Sequence, residues 1–384
     1  MRKLKMGMVG GGTNAFIGAI HRIAANMDGL ITLHCGAFSS NPETSIQSGR
    51  ELFLPENKCY ASYAEMFEKE HALPREERMD FVTIVTPNFA HFEPAMMALE
   101  YGFHVVIDKP ITLTLAEAKI LQEKVKETGL LLCLTHTYSG YPMVKQAKQM
   151  VLENQFGSIR KILVEYPQGW LSTLSENSGN KQAQWRTDPS KSGLSGCMGD
   201  IGTHAAHLAE YISGLKITKL CAAMHTVVEG RQLDDDGNVL LQFENGANGV
   251  LIASQIAAGE ENSLKIKIYG EKGGLEWHQM EPNSLIVKWI DAPSQTYRAG
   301  NNYLHSNASF NSRTPGGHPE GYLEAFANLY KNFALTLMAQ MKNSQPAQEM
   351  LDFPTVADGV RGMAFIENVI ASGKSDLKWH DFKI

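Results

Sequence analysis

Five short apolar runs punctuate the first third of the chain: residues 4–9, 29–37 ("GLITLHCGA"), 80–85 ("DFVTIV"), 103–107 ("FHVVI") and 130–136 ("LLLCLTH"). Continuous apolar runs of this length, bounded by turn residues, fit strands buried on both faces. After the first run, Phe16, Ile17, Ile20, Ile23 and Ala24 repeat at helical spacing, and further helices are expected at about 42–52, 90–101 and 115–128. Strand–helix alternation at this spacing predicts a parallel, doubly wound sheet of Rossmann type with right-handed crossovers.

Past residue 139 the pattern changes. Residues 158–166, 219–228, 238–257 and 263–277 read as strands separated by turns, and "FENGANG" at 243–249 reads as a hairpin turn. Residues 355–373 form an amphipathic helical pattern. A chain of 384 residues is too long for one ordinary core. The expected division is 1–138 for the first domain and 139–384 for the second.

Charge narrows the classes of partner. With 35 basic and 41 acidic residues the net charge is −6, which argues against nucleic acid or an anionic membrane. Five scattered cysteines with no C-x-x-C pair fit reduced thiols in a cytoplasmic protein. The opening "MRKLKMGMVGGG" lacks a secretory apolar core, and no segment has the length of a membrane span.

Chemistry enters at the first strand's end. Gly10, Gly12 and Ala15 fit G-x-G-x-x-A, with Thr13, Asn14 and Phe16 in the same turn and helix start. Gly10 permits a tight turn, Gly12 lets the backbone approach a pyrophosphate, and Ala15 allows close packing of helix on strand. The helix N-terminus offers free N–H groups to phosphate. At the second strand's end Ser39 and Ser40 stand where NAD-preferring folds carry an acid. No arginine follows directly, so the expectation leans to NAD, with NADP also compatible. Thr86, Pro87, Asn88 and His91 fall at the third strand's carboxyl end, where open α/β sheets bind ligands, and Thr86 or Asn88 is a candidate helix cap.

The fourth strand runs straight into Asp108, Lys109 and Pro110. Proline's fixed φ and its bias on the residue before it hold this lysine rigid at the sheet edge. In "SGLSGCMGDIGTHAAHLAEYISG", Asp200 and His204 are one helical turn apart and expected on one face. Separately each reads as a cap or a core histidine; with Lys109 they form a candidate catalytic set.

These motifs together resemble the glucose–fructose oxidoreductase/inositol dehydrogenase/rhizopine catabolism family, Gfo/Idh/MocA, over nearly the whole chain. The resemblance rests on "VGGGTNAFIGAIHR", "VTPNFAH", "DKP" in place of the family's Glu-Lys-Pro, "WRTDPSKSG" and "GDIGTH", which matches a D-x-x-x-H signature. It implies an α/β fold: an N-terminal Rossmann domain, then a C-terminal α+β domain with a large, mostly antiparallel sheet. The helix near 355–373 is expected to pack back on the first domain. Homodimers or homotetramers through that second-domain sheet are expected too. Asp108 replaces the usual Glu, and Tyr138 lies in "THTYSGYP", which lacks the family's common Arg-Phe.

The implied chemistry is hydride transfer between a nicotinamide and a secondary hydroxyl of a sugar, polyol or sugar derivative. His204 is the expected base, Lys109 donates to the reacting oxygen and Asp200 orients the substrate; the sequence leaves His204 and Lys109 interchangeable. Tyr138, Trp170, Arg186, Asp188 and His318 are candidate substrate contacts, with Trp170 equally readable as a core aromatic. No metal is expected, because nicotinamide chemistry needs none and nothing completes a ligand set around Asp200, His204 and His207. The competing functions are redox-assisted glycoside cleavage, which releases no net NADH, and a ligand sensor on the same fold.

Overall fold

A computed structural model describes residues 2–13 and 15–384. The chain forms two compact units, Met1–Thr137 with Tyr322–Val360, and Tyr138–Gly321 with Arg361–Ile384.

In the first unit, β1 (Leu4–Gly10), β2 (Ile31–Ala37), β3 (Phe81–Val85), β4 (His104–Ile107) and β5 (Leu132–Leu134) form one sheet in the order β2-β1-β3-β4-β5. Every neighbouring pair is parallel. Helices on both faces explain why the strands read as unbroken apolar runs; every residue of β3 is buried. The order of strands carries the carboxyl ends of β1, β3 and β4 to one edge, where the glycine turn and the Asp108–Lys109–Pro110 turn lie.

Helix ends follow local chemistry. Thr114 and Glu117 form a reciprocal capping box at the start of Leu115–Thr128, and Gly129 closes that helix in the left-handed region at φ +65°. A helix at Tyr63–Ala72, not anticipated from periodicity, starts on Ser62, whose hydroxyl accepts from the Glu65 N–H at 3.2 Å. The helix expected from about residue 90 starts at Phe92, because Pro87 leads first into the short 3₁₀ turn Asn88–Ala90.

The segment from the chain's second half that joins this unit is Tyr322–Val360. Its helix Tyr322–Met341 buries Phe326, Leu329, Tyr330, Phe333 and Leu337 in one core with Met6, Met8, Ala24, Phe81 and Val106. Only the first residues of the helix Val356–Gly373 count with this unit; from Arg361 the chain belongs to the second.

The second unit is built on nine strands. They are β6 (Ile159–Pro167), β7 (Ile217–His225), β8 (Asp236–Phe243), β9 (Asn248–Ser254) and β10 (Lys265–Gly270). The others are β11 (Gly273–His278), β12 (Ser284–Trp289), β13 (Gln295–Arg298) and β14 (His380–Asp381). Their order is β13-β12-β11-β10-β6-β9-β8-β7-β14, antiparallel throughout except for β6 beside β9. The β8–β9 hairpin turns where the sequence placed it, with the Phe243 N–H donating to the Ala247 carbonyl at 2.9 Å and Gly246 at φ +86°.

Helices Pro142–Leu152 and Thr203–Ser213 cover one face of this sheet. Glu210 locks the second of them. Its carboxylate takes the Arg361 guanidinium, the Ile217 N–H at 2.8 Å and the Lys216 ammonium at 3.3 Å. The other face is open: along β8 the residues alternate between buried Val239 and Leu241 and exposed Asn238 and Leu240. Among the described residues, no helix is long and apolar enough to cross a membrane.

Candidate active site

The first element is the turn after β1. Gly10 at φ +78° and Gly11 at φ +69° adopt backbone that side chains rarely enter. A Cβ on Gly10 would meet Thr86 Cγ2 at 3.0 Å and the Val85 carbonyl at 3.1 Å, and one on Gly12 would meet Ser48 Oγ at 2.8 Å. The closest approach of helix to turn falls at Gly18, where an added Cβ would sit 2.4 Å from both Cα and O of Gly11. The helix Phe16–Met27 starts from Ala15 with no side-chain cap and no acid in its first turn. Its leading N–H groups therefore face outward beside bare glycine backbone, the arrangement a pyrophosphate requires. Thr13 and Phe16 are exposed at that rim; Asn14 lies outside the described residues.

The adenosine end of such a site lies past β2, where Ser39 is half-buried and Ser40 exposed. Ser39 Oγ accepts from the Asn41 N–H at 3.1 Å, and Asn41 caps the next helix through Thr44. No acid stands there. These residues suit a dinucleotide held through backbone and hydroxyls.

The turns after β3 and β4 are tied together. His91 is buried, with Nδ1 2.7 Å from the Pro110 carbonyl and Nε2 2.8 Å from the Thr86 carbonyl. The Thr86 hydroxyl donates to the Ala90 carbonyl at 2.8 Å and so bridges its own turn without capping the helix. Pro87 opens the 3₁₀ turn, and Asn88 is buried within it. Asp108 Oδ1 accepts from the Lys109 N–H at 2.8 Å and the Thr135 hydroxyl at 2.9 Å. Burial pushes this carboxyl up. The His21 imidazole, the Lys109 ammonium and His91 outweigh that and hold it well below the ordinary carboxylate range. Asp108 is thus an anion that fixes the lysine's backbone.

The second unit carries its own cluster of polar side chains around Asp200. Asp200 lies in a π-helical turn, Met198–Gly202, and His204 follows in the α-helix Thr203–Ser213. The sequence suggested one regular helix; the wider turn arises as Thr203 Oγ1 bonds back to the Gly199 carbonyl at 3.0 Å. Asp234 anchors the entry, accepting from Ser195 Oγ at 2.8 Å and from the N–H groups of Gly196 at 2.9 Å and Met198 at 2.8 Å.

A continuous polar chain runs outward from Asp200. Its Oδ2 accepts from Gln255 Nε2 at 2.9 Å and lies 3.4 Å from Arg186 Nε. Gln255 and Trp170 both donate to Gln168 Oε1, at 3.4 and 2.9 Å, and Gln168 Nε2 donates to Asn262 Oδ1 at 2.7 Å. Asn262, Tyr166 and Tyr138 close a ring. The Tyr166 hydroxyl donates to Asn262 Oδ1 at 2.6 Å, Asn262 Nδ2 donates to Tyr138 at 3.1 Å, and the two phenols bond each other. Tyr138 then meets His204 edge to face at 4.9 Å between centroids. The chain of hydrogen bonds that starts at the Asp200 carboxylate therefore ends at Tyr138, whose ring packs against the His204 imidazole.

Of the residues expected around the substrate, Tyr138, Trp170 and Arg186 join this network. Trp170 is half-buried and donates a hydrogen bond, which places it in the polar chain and not in the apolar core. Asp188 caps the short helix Pro189–Ser192, with its carboxylate on Ser190 and on Lys191 at 3.0 Å, contacts that pull it down to about 2. His318 is exposed on its loop, its ring against the Pro315 carbonyl. Gln255, Asn262 and Asp234 were not picked out from sequence. Gln255 and Asn262 had one signal, amides following strands β9 and just preceding β10. Among the described residues no group of His, Cys, Asp or Glu is placed to hold a metal ion.

The fold and the glycine turn define an NAD-binding oxidoreductase: residues 4–136 match the oxidoreductase family with an NAD-binding Rossmann fold. Residues 144–276 match the GFO/IDH/MocA C-terminal domain. An uncharacterized oxidoreductase, YfiI, of Bacillus subtilis is 32% identical over 100% of this chain and 98% of its own. The chain belongs to the GFO/IDH/MocA oxidoreductase family. The crystal structure of an inositol dehydrogenase homolog complexed with NAD+ from Azotobacter vinelandii superposes with a TM-score of 0.94 at 33% identity, covering 99% of this chain and 98% of that one. A further structure of that homolog holds NADH and myo-inositol, with a TM-score of 0.90 at 32% identity, covering 99% and 98%. Levoglucosan dehydrogenase of Pseudarthrobacter phenanthrenivorans is 26% identical over 78% of this chain and 79% of its own.

Proposed function

We propose that the protein is an NAD-dependent dehydrogenase acting on a secondary hydroxyl of a cyclic polyol or sugar, with Lys109, Asp200 and His204 as catalytic residues. The observation that carries this is the network joining Asp200 to Tyr138 and His204, on a chain whose other unit has the glycine turn of an NAD site. Paired amide and phenol donors and acceptors suit a ligand with several neighbouring hydroxyls. The neighbour complexed with NADH and myo-inositol and the relative named levoglucosan dehydrogenase support the same substrate class.

Bound NAD supplies the hydride acceptor. His204 takes the hydroxyl proton on its imidazole, whose ordinary proton affinity lies near neutrality. Lys109 Nζ donates to the oxygen that becomes a carbonyl, stabilising charge as the proton leaves. Asp200, held by Gln255, accepts from a substrate hydroxyl and fixes the ring. Neutral serines after β2 and no following arginine favour the ribose hydroxyls of NAD over the phosphate of NADP.

The open sheet face is the proposed seat of a second copy. Leu163 on β6, Val250 on β9 and Leu240 on β8 lie in register side by side, forming an apolar stripe across three strands. A cytoplasmic homo-oligomer would cover it.

The test is a screen of inositols, sugars and glycosides with NAD and NADP, following reduced nicotinamide and product together. Expected is NADH accumulating in step with a keto product. Lys109→Ala and His204→Ala should each lower kcat about 100-fold or more. Product without net NADH would replace this reading with glycoside cleavage, and wild-type turnover in either variant would remove that residue from the mechanism.

A further inference from the structure

Arg231 lies on the connection from β7 to β8, and its side chain is 2% exposed. Every N–H of its guanidinium is used. Nε donates to Glu176 Oε1 at 3.1 Å, and Nη2 donates to Glu176 Oε2 at 3.2 Å and to the Thr173 carbonyl at 2.9 Å. Nη1 donates to the Leu171 carbonyl at 2.7 Å and to Asp235 Oδ2 at 3.2 Å. The Asp235 carboxylate also accepts from the N–H groups of Val227 at 2.8 Å and Val228 at 2.9 Å. One buried cation therefore joins two stretches that are distant in sequence, 171–176 and 227–235.

Both stretches lead to Asp200. Asp234, next to Asp235, takes the Gly196 and Met198 N–H groups at the entry of the π-helical turn that carries Asp200. The Asp235 carbonyl accepts from the Gln255 N–H at 2.9 Å, and the Gln255 side chain bonds Asp200. On the other stretch, the Gln168 and Gly169 N–H groups bond the Ser254 and Glu260 carbonyls at 2.7 and 2.8 Å, which fixes the chain as far as Trp170. The Leu171 N–H still reaches the Gln255 carbonyl at 3.1 Å, and from there to Glu176 the guanidinium takes over. The Glu176 carbonyl then accepts from Gln184 Nε2 at 3.4 Å, in the helix Lys181–Arg186 whose last residue stands beside Asp200.

We infer that Arg231 is a positioning residue for substrate binding: it clamps 171–176 to the connection that anchors the Asp200 turn, and so keeps Trp170 and Arg186 in the polar set around Asp200. The inference deepens the polyol or sugar reading and rests on it for the ligand. Arginine suits the task because its planar fork serves two carbonyls and two carboxylates together, whereas a lysine has fewer N–H groups and no fork. Without the guanidinium, Glu176 and Asp235 lose their shared cation, and the segment between Trp170 and Arg186 loosens.

The experiment reads the clamp first without any ligand, by amide hydrogen exchange and mass spectrometry on the full-length protein. Arg231→Gln should raise exchange in peptides from 171–186 about tenfold or more, with peptides from β10 to β12 unchanged. Glu176→Ala leaves Arg231 on Asp235 and cuts only the other side; it should loosen the same peptides, and it covers the case in which Arg231→Gln does not fold. Steady-state kinetics with myo-inositol and NAD read the consequence. In Glu176→Ala, KM for myo-inositol should rise about tenfold or more while kcat stays within about threefold, and NADH Kd should not change. Unchanged exchange across 171–186 in both variants, loosening spread over the whole second unit, or loosening with an unchanged KM overturns the inference. If the wild type oxidises no polyol or sugar while exchange behaves as stated, the substrate reading falls and the clamp stands.

Discussion

The glycine turn makes a quantitative test of the coenzyme site through a residue outside the motif. In Gly18→Ala the new Cβ would stand 2.4 Å from the Cα and carbonyl oxygen of Gly11, and 2.7 Å from its carbonyl carbon. All three are backbone atoms, so no side-chain rotation relieves the overlap. Ordinary carbon contacts begin at about 3.5 Å, so helix and turn must separate by about 1 Å. Overpacking of this kind costs about 1–3 kcal/mol, and for a unit of this size each kcal/mol lowers Tm by about 2–4 °C. The displaced turn is the one whose N–H groups would hold the pyrophosphate, so NADH affinity should fall by about tenfold or more. Gly29→Ala is the control. It has φ +69° and nothing within 4 Å of its Cβ, so it should cost about 1 kcal/mol of backbone strain while leaving coenzyme affinity unchanged. NADH fluorescence titration and thermal unfolding read both effects. A Gly18→Ala protein that binds NADH with wild-type Kd would refute the placement of the coenzyme at this turn.

Three further outcomes are expected. Burial raises the Glu70 carboxyl, but His34, Lys58, Tyr60 and the Met79 N–H pull it down to about 2, so the ionised group stabilises the fold above the ordinary carboxylate pKa and that support is lost as pH falls toward 2. Glu70→Gln should lose about 2–4 kcal/mol at pH 7 by urea unfolding, with the gap narrowing on acidification; a gap unchanged from pH 7 to pH 3.5 would contradict this. Tyr166→Phe removes the hydroxyl that closes the ring of Tyr138 and Asn262, and should lower kcat/KM by about 10-fold with little change in NADH affinity, as steady-state kinetics and titration would show. Leu240→Glu puts a charge at the β8 end of the apolar stripe and should reduce the subunit number seen by light scattering, while an unchanged mass would move the interface elsewhere.

The parallel sheet was readable because each of its strands is covered on both faces and so carries a signal within a few consecutive residues. The glycine turn was readable for a related reason: backbone constraints at Gly10 and Gly12 act on the residues themselves. The helix Tyr63–Ala72 escaped periodicity because only Met66, Phe67 and Glu70 are buried on it. Its cap was nonetheless present in the sequence, in Ser62 followed three residues later by Glu65. Strands β12 and β13 lie toward the sheet edge with polar residues on one side, and "SLIVKW" alternates clearly enough to have been found. The return of Tyr322–Met341 to the first unit had no local signal at all. That helix is buried over most of its surface, so its composition says that it is covered and not what covers it.

The same division separates the candidate residues of the two units. Lys109 could be singled out because proline and a strand end constrain its neighbours in sequence. The residues that make Asp200 and His204 a site are Gln255, Asn262 and Tyr166, which are separated from them by tens of residues and joined only by the sheet. Strand register does that work. Pairing of β6 with β9 sets Pro167 beside Ser254, so the chain leaves both strands together, and Gln168 and Gln255 emerge side by side with their amides in contact. The Gln168 N–H donates to the Ser254 carbonyl at 2.7 Å, and the Gln255 N–H donates to the Asp235 carbonyl at 2.9 Å, so both amides are aimed by backbone bonds before any ligand arrives. A one-residue slip of β9 would turn Gln255 to the opposite face and leave the Asp200 carboxylate without its amide. The placing of these amides beside Asp200 is in that sense a property of sheet pairing, which is why it could not be read from any one stretch of the sequence.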